Sequence, residues 1–222
     1  MSANFKPRHD PSIPVIVLGA GGHAAVVISS LRRLELNIIG ITTADNLDSD
    51  TLLGIPVLGD DNEILRRSST SVLLANGIGA TLPGRTARHL CAEKMRSKGF
   101  KFLTLIDASS ICVPEVAISE GVQIMAGAVI QPRVSIGKDS IINTGARVDH
   151  DCEIGVNCHI CPGVTLAGGV RVDSGTILGA GTTVIPGVSI GSDSIVGAGS
   201  VIFEDIPPRS RVIQRRIDAF DA

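Results

Sequence analysis

His150 stands between two carboxylates in Asp149-His150-Asp151, and a second histidine, His159, follows shortly after. An imidazole beside a carboxylate can take up a proton, because the negative charge favours the imidazolium and can orient the ring. From spacing alone, a general base and a solvated corner residue are equal readings of His150. Three thiols lie among these histidines, Cys152, Cys158 and Cys161, and such a set raises zinc. Cys152 and Cys158, however, fall on the small position of a repeating unit, so they read as core packing.

A second set of residues points to phosphate. Gly19-Ala20-Gly21-Gly22-His23-Ala24 fits G-x-G-x-x-A, whose glycines let a backbone approach a diphosphate at a helix N-terminus. A dinucleotide site also wants an acid at the end of the next strand, and here Thr42-Thr43 stand there with Asp45 beyond. About a hundred residues precede the repeats, which suits a nucleotide half-site better than a full dinucleotide crevice. A tight turn that binds nothing is the plainer alternative.

Two kinds of element must position these groups. Around the glycines, Pro14 to Leu18 reads as a strand, the following segment through Leu34 as an amphipathic helix, and Ile38 to Thr42 as a second strand. Ser71 to Ala75 reads as a further parallel strand, Arg85 to Lys98 as a helix stopped by Gly99, and Lys101 to Leu105 as the last strand of this region. Around His150 the period changes. From Ile118 to Ile202 an aliphatic residue recurs at every sixth position, and four residues after each comes a small or β-branched one such as Ala128, Cys152 or Thr176. Neither the helical 3.6 nor the strand period of two produces this, so the chain is read as a parallel β-helix with about three hexads per coil and between four and five coils. The frame extends raggedly back to Ile106 and Cys112, which sets domains at 1–105, 106–206 and a C-terminal tail at 207–222.

Composition narrows the partners. The 222 residues are 44% hydrophobic, enough for a real core, and Tyr and Trp are absent, as a narrow coil interior requires. A net charge of −2 gives no basic surface for nucleic acid. The charged N-terminus and the glycine-interrupted run after it suit neither a signal peptide nor a membrane span. Five cysteines with no disulfide spacing suggest reduced thiols and a cytoplasmic setting.

The pairing of a G-x-G-G-H domain with hexapeptide coils carrying N-T-x-x-x-x-x-H-[DE]-C-x-[IL]-G-x-x-x-H resembles the bacterial nucleotide-linked amino-sugar N-acetyltransferases and the related sialic acid O-acetyltransferases. The resemblance covers residues 14 to about 206. It is greatest to enzymes that acetylate the C4 amine of a nucleotide-linked 4-amino-4,6-dideoxy sugar of the perosamine or bacillosamine type, with sugar O-acetylation as the alternative. It implies a Rossmann-like N-terminal domain, a left-handed β-helix, a homotrimer, acetyl-CoA as co-substrate and no metal. It also implies His150 as general base with Asp151 beside it, His159, Gly168, Ala180 and Ala198 at the coenzyme, and Asn143 beside the acceptor sugar. Gly21, Gly22 and His23 would hold the diphosphate, with Thr42, Thr43, Gly77 and Ile78 at the remaining acceptor positions. The chain departs from the family pattern in three places. Thr42-Thr43 replace an acidic pair, Gly77-Ile78-Gly79 replace Gly followed by Asn or Asp, and Pro207-Pro208 with Arg211 to Arg216 replace a G-x-P-A-[KR] segment. Arg215 and Arg216 could pair with phosphate. A γ-type carbonic anhydrase shares the coil but needs three zinc-bound histidines, and this coil has His150 and His159. A non-catalytic scaffold or sugar-nucleotide sensor would keep the glycine turn and lack acetyl transfer, and the His-Asp pair argues against it.

Overall fold

The computed structural model describes residues 10, 12–45, 49–79 and 87–213. Near the N-terminus, the buried run Val15–Leu18 forms β1, Gly22–Arg33 forms α1 and Ile38–Thr42 forms β2. Thr51–Leu52 (β3) and Ile55–Gly59 (β4) make a hairpin that the sequence reading lacked, followed by the single turn Asn62–Leu65 (α2). Leu73–Asn76 is β5 and Ala87–Ser97 is α3, which Gly99 at φ +87° ends. The sheet order is β3-β4-β2-β1-β5, parallel except for the hairpin. Apolar faces of α1 and α3 cover its two sides: Val27, Ile28 and Leu31 join one core cluster, Ala92 and Met95 the other.

The expected strand at Lys101–Leu105 is a correction. Phe102 makes only an isolated bridge to Leu74, while Leu105–Ile106 pairs with Gln123–Ile124 and is the first strand of the coil. From there the chain winds as a left-handed parallel β-helix of three faces. The first face starts at Leu105–Ile106, the second at Ile111–Cys112 and the third at Ala117–Ile118, with seven, six and five strands. Each strand is two residues long and pairs with the one a full coil later, as Ile142 with Ile160 and Val148 with Leu166. Seven strands on the first face bound six coils, more than the four to five expected, because the coil continues at both ends of the strict repeat. At the far end Arg211–Val212 pairs with Ile195–Val196, so the segment set apart as a tail begins inside the coil. Gln214, Arg215 and Arg216 lie outside the described residues.

The hexad closes because each of its positions meets a separate physical demand. Ile124, Ile130, Ile142, Ile160 and Leu166 are fully buried, each stabilising the stack by about 1.5–3 kcal/mol. The small position, as at Ala146, Cys152 and Thr176, is buried beneath the corner. Between them the chain must turn sharply with positive φ, met by Gly145 and Gly163 and, where a side chain is kept, by Asp151 and Asn157.

The α/β domain sits against the first face of the coil. Met125 and Ile141, which point out of the coil, are fully buried in its core cluster. Charged pairs border this contact. Arg33 Nη2 lies 2.5 Å from the buried Asp107, and although burial opposes it, Arg33 with Ser109 and Ser30 holds that carboxyl down to about 2. Arg96 clasps Asp139 with two bonds of 2.7 Å while its guanidinium covers Phe102 at 4.5 Å.

Candidate active site

Two places gather the chemistry-bearing residues. The first is the corner between the second and third faces, where His150 follows the strand Arg147–Val148. Its ring is about half exposed, and Nδ1 lies 2.6 Å from Asp151 Oδ2. Asp151 reaches back to the ring because it occupies the left-handed corner position at φ +61°. Asp149 does something else: its carboxylate accepts the backbone N–H of His150 at 2.7 Å. Arg133, one coil earlier, grips Asp151 through Nε at 2.6 Å and Nη2 at 2.7 Å. Arg133 first, then His150, holds the Asp151 carboxyl well below the usual carboxylate range. A carboxylate only accepts, so Nδ1 carries the hydrogen and a neutral His150 presents a lone pair on Nε2. The ring lies against Gly168, where a Cβ would come within 2.7 Å of Nε2.

The second place is a cleft of about 640 Å³ between the α/β domain and the coil. Gly21, the N-cap of α1, lines it together with Gly22 and His23 at the start of that helix. Their backbone N–H groups have no intrahelical partner and sit at the positive end of the helix dipole. Gly77 and Ile78 line the adjoining edge. Gly77 has to be glycine, since a Cβ would lie 2.7 Å from the Leu18 carbonyl and 2.8 Å from Ala24. From the coil come Asn143 and His159, with the Asn143 amide nitrogen 3.0 Å from His159 Nε2 and its oxygen accepting Thr144 N–H at 2.8 Å.

Some expected site residues are elsewhere. Thr42 does not line the cleft; it is fully buried and its hydroxyl donates to Asp61 at 2.9 Å, because β2 is a central strand. Thr43 Oγ1 accepts the N–H of Asp45, and Asp45 lines the cleft. Gly168 belongs with His150, whereas Ala180 and Ala198 stand exposed above Thr144 and Pro162, which line the cleft. His150 itself does not line it, being one corner further round the coil. Gln123, which the sequence reading passed over, bonds His23 Nε2 at 2.8 Å from the coil side. Burial pushes Cys158 up to about 12 and Cys152 to about 11, and among the described residues no group of three or more His, Cys, Asp or Glu converges.

Residues 14–82 match the PglD N-terminal domain, and residues 115–150 match the bacterial transferase hexapeptide repeats. Over nearly the whole length, the chain is similar to the perosamine N-acetyltransferase of Caulobacter crescentus, solved as a histidine-to-asparagine variant with CoA and GDP-perosamine. The two are 41% identical with a TM-score of 0.81, over 89% of this chain and 92% of that one. The chain belongs to the hexapeptide-repeat N-acetyltransferase family. PerB from the same organism, solved with the same two ligands, shares 43% identity with this acetyltransferase at a TM-score of 0.80, over 88% of this chain and 91% of that one. The acetyltransferase domain of PglB from Neisseria gonorrhoeae, in complex with acetyl coenzyme A, shares 30% identity at a TM-score of 0.82, over 90% of this chain and 95% of that one. No curated protein matches this acetyltransferase in sequence. Among its described residues, no helix is long and apolar enough to cross a membrane.

Proposed function

We propose that this acetyltransferase moves the acetyl group of acetyl-CoA to the C4 amine of a nucleotide-linked 4-amino-4,6-dideoxy sugar, with GDP-perosamine the first acceptor to test. The observation that carries this reading is the hydrogen-bonded series Arg133, Asp151, His150, which leaves Nε2 free to accept a proton. A protonated amine has no lone pair, so the neutral amine attacks the thioester carbonyl carbon. As the C–N bond forms, nitrogen becomes acidic and its proton passes to His150 Nε2. The tetrahedral intermediate then expels the CoA sulfur, which takes the proton from the imidazolium. No acyl-enzyme is required. The N–H groups of Gly21 and Gly22 hold the diphosphate, and Asn143 and His159 face the reacting end of the two substrates. Ala180 and Ala198 offer a smooth column along which the coenzyme lies.

A single chain leaves His150 outside the cleft, and this supports a homotrimer in which a neighbouring coil brings base and acceptor together. Its setting is cytoplasmic, in keeping with five free cysteines. The decisive assay incubates the enzyme and acetyl-CoA with GDP-, UDP- and dTDP-linked amino sugars and follows free thiol and product mass. An acetylated amine is the expected product; an acetylated hydroxyl, or no turnover on any member, overturns the reading. Sedimentation showing a fully active monomer overturns the trimer.

A further inference from the structure

Gln123 points out of the first face of the coil and yet is only 1% exposed, because the α/β domain covers it. Its Nε2 donates to the Asn76 carbonyl at the end of β5 at 2.8 Å, and its Oε1 lies 2.8 Å from Nε2 of His23. A peptide carbonyl only accepts, so the amide has one orientation: the NH₂ faces Asn76 and the oxygen faces His23. The same logic passes to the ring. An amide oxygen also only accepts, so His23 carries its hydrogen on Nε2. Asn76 is held in turn. Its own carbonyl accepts Arg88 Nη1 at 2.9 Å and its side chain bonds the Arg88 carbonyl and the Ile78 N–H.

The surroundings keep the ring neutral. Burial first, then the buried Arg88 of α3, lowers the His23 pKa to about 4; His159 acts in the same direction, and the Gln123 bond opposes both. Asp45 is the carboxylate on the same cleft. At neutral pH, Nδ1 therefore holds a lone pair, on a ring that lines the cleft.

We propose that Gln123 is a positioning residue for acetyl transfer: it fixes His23 as the Nε2–H tautomer, so that Nδ1 accepts a hydrogen from a hydroxyl or amino group of the bound sugar nucleotide. The inference rests on the cleft being the acceptor site. It also divides the work at the glycine turn. A phosphate oxygen brings no hydrogen and would meet Nδ1 lone pair to lone pair, so the diphosphate belongs to the α1 N–H groups and His23 to a hydrogen donor. Gln123 acts only through the ring.

The test combines histidine-labelled nitrogen NMR of the full chain with steady-state kinetics. His23, assigned by its loss in His23→Gln, is expected as the Nε2–H tautomer and neutral down to about pH 5. Gln123→Met removes both hydrogen bonds at similar size. It should mix the tautomers and raise the KM for GDP-perosamine about tenfold, with the KM for acetyl-CoA within about twofold. Gln123→Glu keeps the acceptor and adds charge. It should bring His23 titration toward neutral pH, so that the acceptor KM rises as pH falls. A wild-type Nδ1–H tautomer in an active enzyme overturns the proposal, as does an unchanged acceptor KM in Gln123→Met. Should Gln123→Met fail to fold, the wild-type spectrum and Gln123→Glu still decide. A wild type that turns over no nucleotide-linked amino sugar overturns the functional reading instead.

Discussion

The corner at His150 and the cleft at His23 place histidines in opposite surroundings. His150 is half exposed, beside a carboxylate held ionised by Arg133, and its ring lies against the bare face of Gly168. His23 is largely buried, beside a neutral amide and within the field of a buried guanidinium. One ring stands in solvent beside an anion, while the other is kept neutral by burial and a nearby cation. A catalytic base has to exchange protons with a reacting amine and then with a leaving thiol, so exposure and a nearby anion serve it. A binding contact has to offer the same hydrogen-bonding face at every turnover, so burial and a fixed tautomer serve that instead. The comparison also separates two ways of building a site. The corner is made by residues one coil apart, while the cleft joins residues about a hundred positions apart.

Five measurements would break or sharpen that contrast. The largest effect belongs to His150→Ala, which should lower kcat by about 10² to 10⁴ while both substrate affinities and the assembly persist. Turnover near wild type would make His150 a solvated corner residue. Gly168→Ala comes next: its backbone accommodates alanine, but the new Cβ displaces the imidazole, so kcat should fall roughly 10² with melting temperature nearly unchanged. A fully active Gly168→Ala enzyme would show that the ring's seat on the coil is immaterial.

His23 should reveal its neutral state through stability. Its ring takes a proton at about 4 in the fold against 6.5 ordinarily, so between these values the unfolded chain binds more protons. The stability linked to it is whole above pH 6.5 and is lost as pH falls toward 4, about 2 kcal/mol after allowing for partial exposure. Denaturant titrations across that window should show a flatter fall for His23→Gln; equal slopes would mean that the ring is not held neutral. Gly21→Val is sterically open within the fold, with nothing within 4 Å of its Cβ, but the side chain enters the cleft. The acceptor KM should rise about tenfold and the acetyl-CoA KM hold, whereas equal changes in both would remove the diphosphate from this turn. The fifth measurement, with the smallest effects, compares the two aspartates: Asp151→Asn keeps a polar partner at Nδ1 and should cost kcat about three- to tenfold. Asp149→Asn should cost less still, since Asp149 bonds backbone and not the ring.

Much of the coil could be read without coordinates, because a strict hexad has one structural solution and every buried aliphatic repeats the instruction. One further signal was there to be used. From residue 121 to 199 every sixth residue is Gly, Asp, Asn or, once, Arg, and each adopts positive φ. That period marks Asp151 as a corner residue able to turn back on its neighbour, and so separates it from Asp149. The α/β domain was legible only in part. Its parallel strands and helices announce themselves by period, but the β3–β4 hairpin and the fate of Lys101–Leu105 depended on which neighbour offered unpaired backbone.

The sequence by itself determined the coil, the glycine turn before α1, and the presence of a histidine beside carboxylates, since each is set by residues close along the chain or by exact repetition of a local rule. Only the tertiary structure decided that Thr42 is consumed inside the sheet, that Gly168 seats His150, and that Gln123 governs His23. The first comes from packing inside the sheet and the second from the stacking of coils, while the third depends on docking the α/β domain against the first face of the coil, where Met125, Ile141 and Gln123 lose their solvent. A hexad pattern states which residues point outward but carries no information on what will cover them; there, burial and hydrogen-bond satisfaction between distant segments turn an outward glutamine into part of a site.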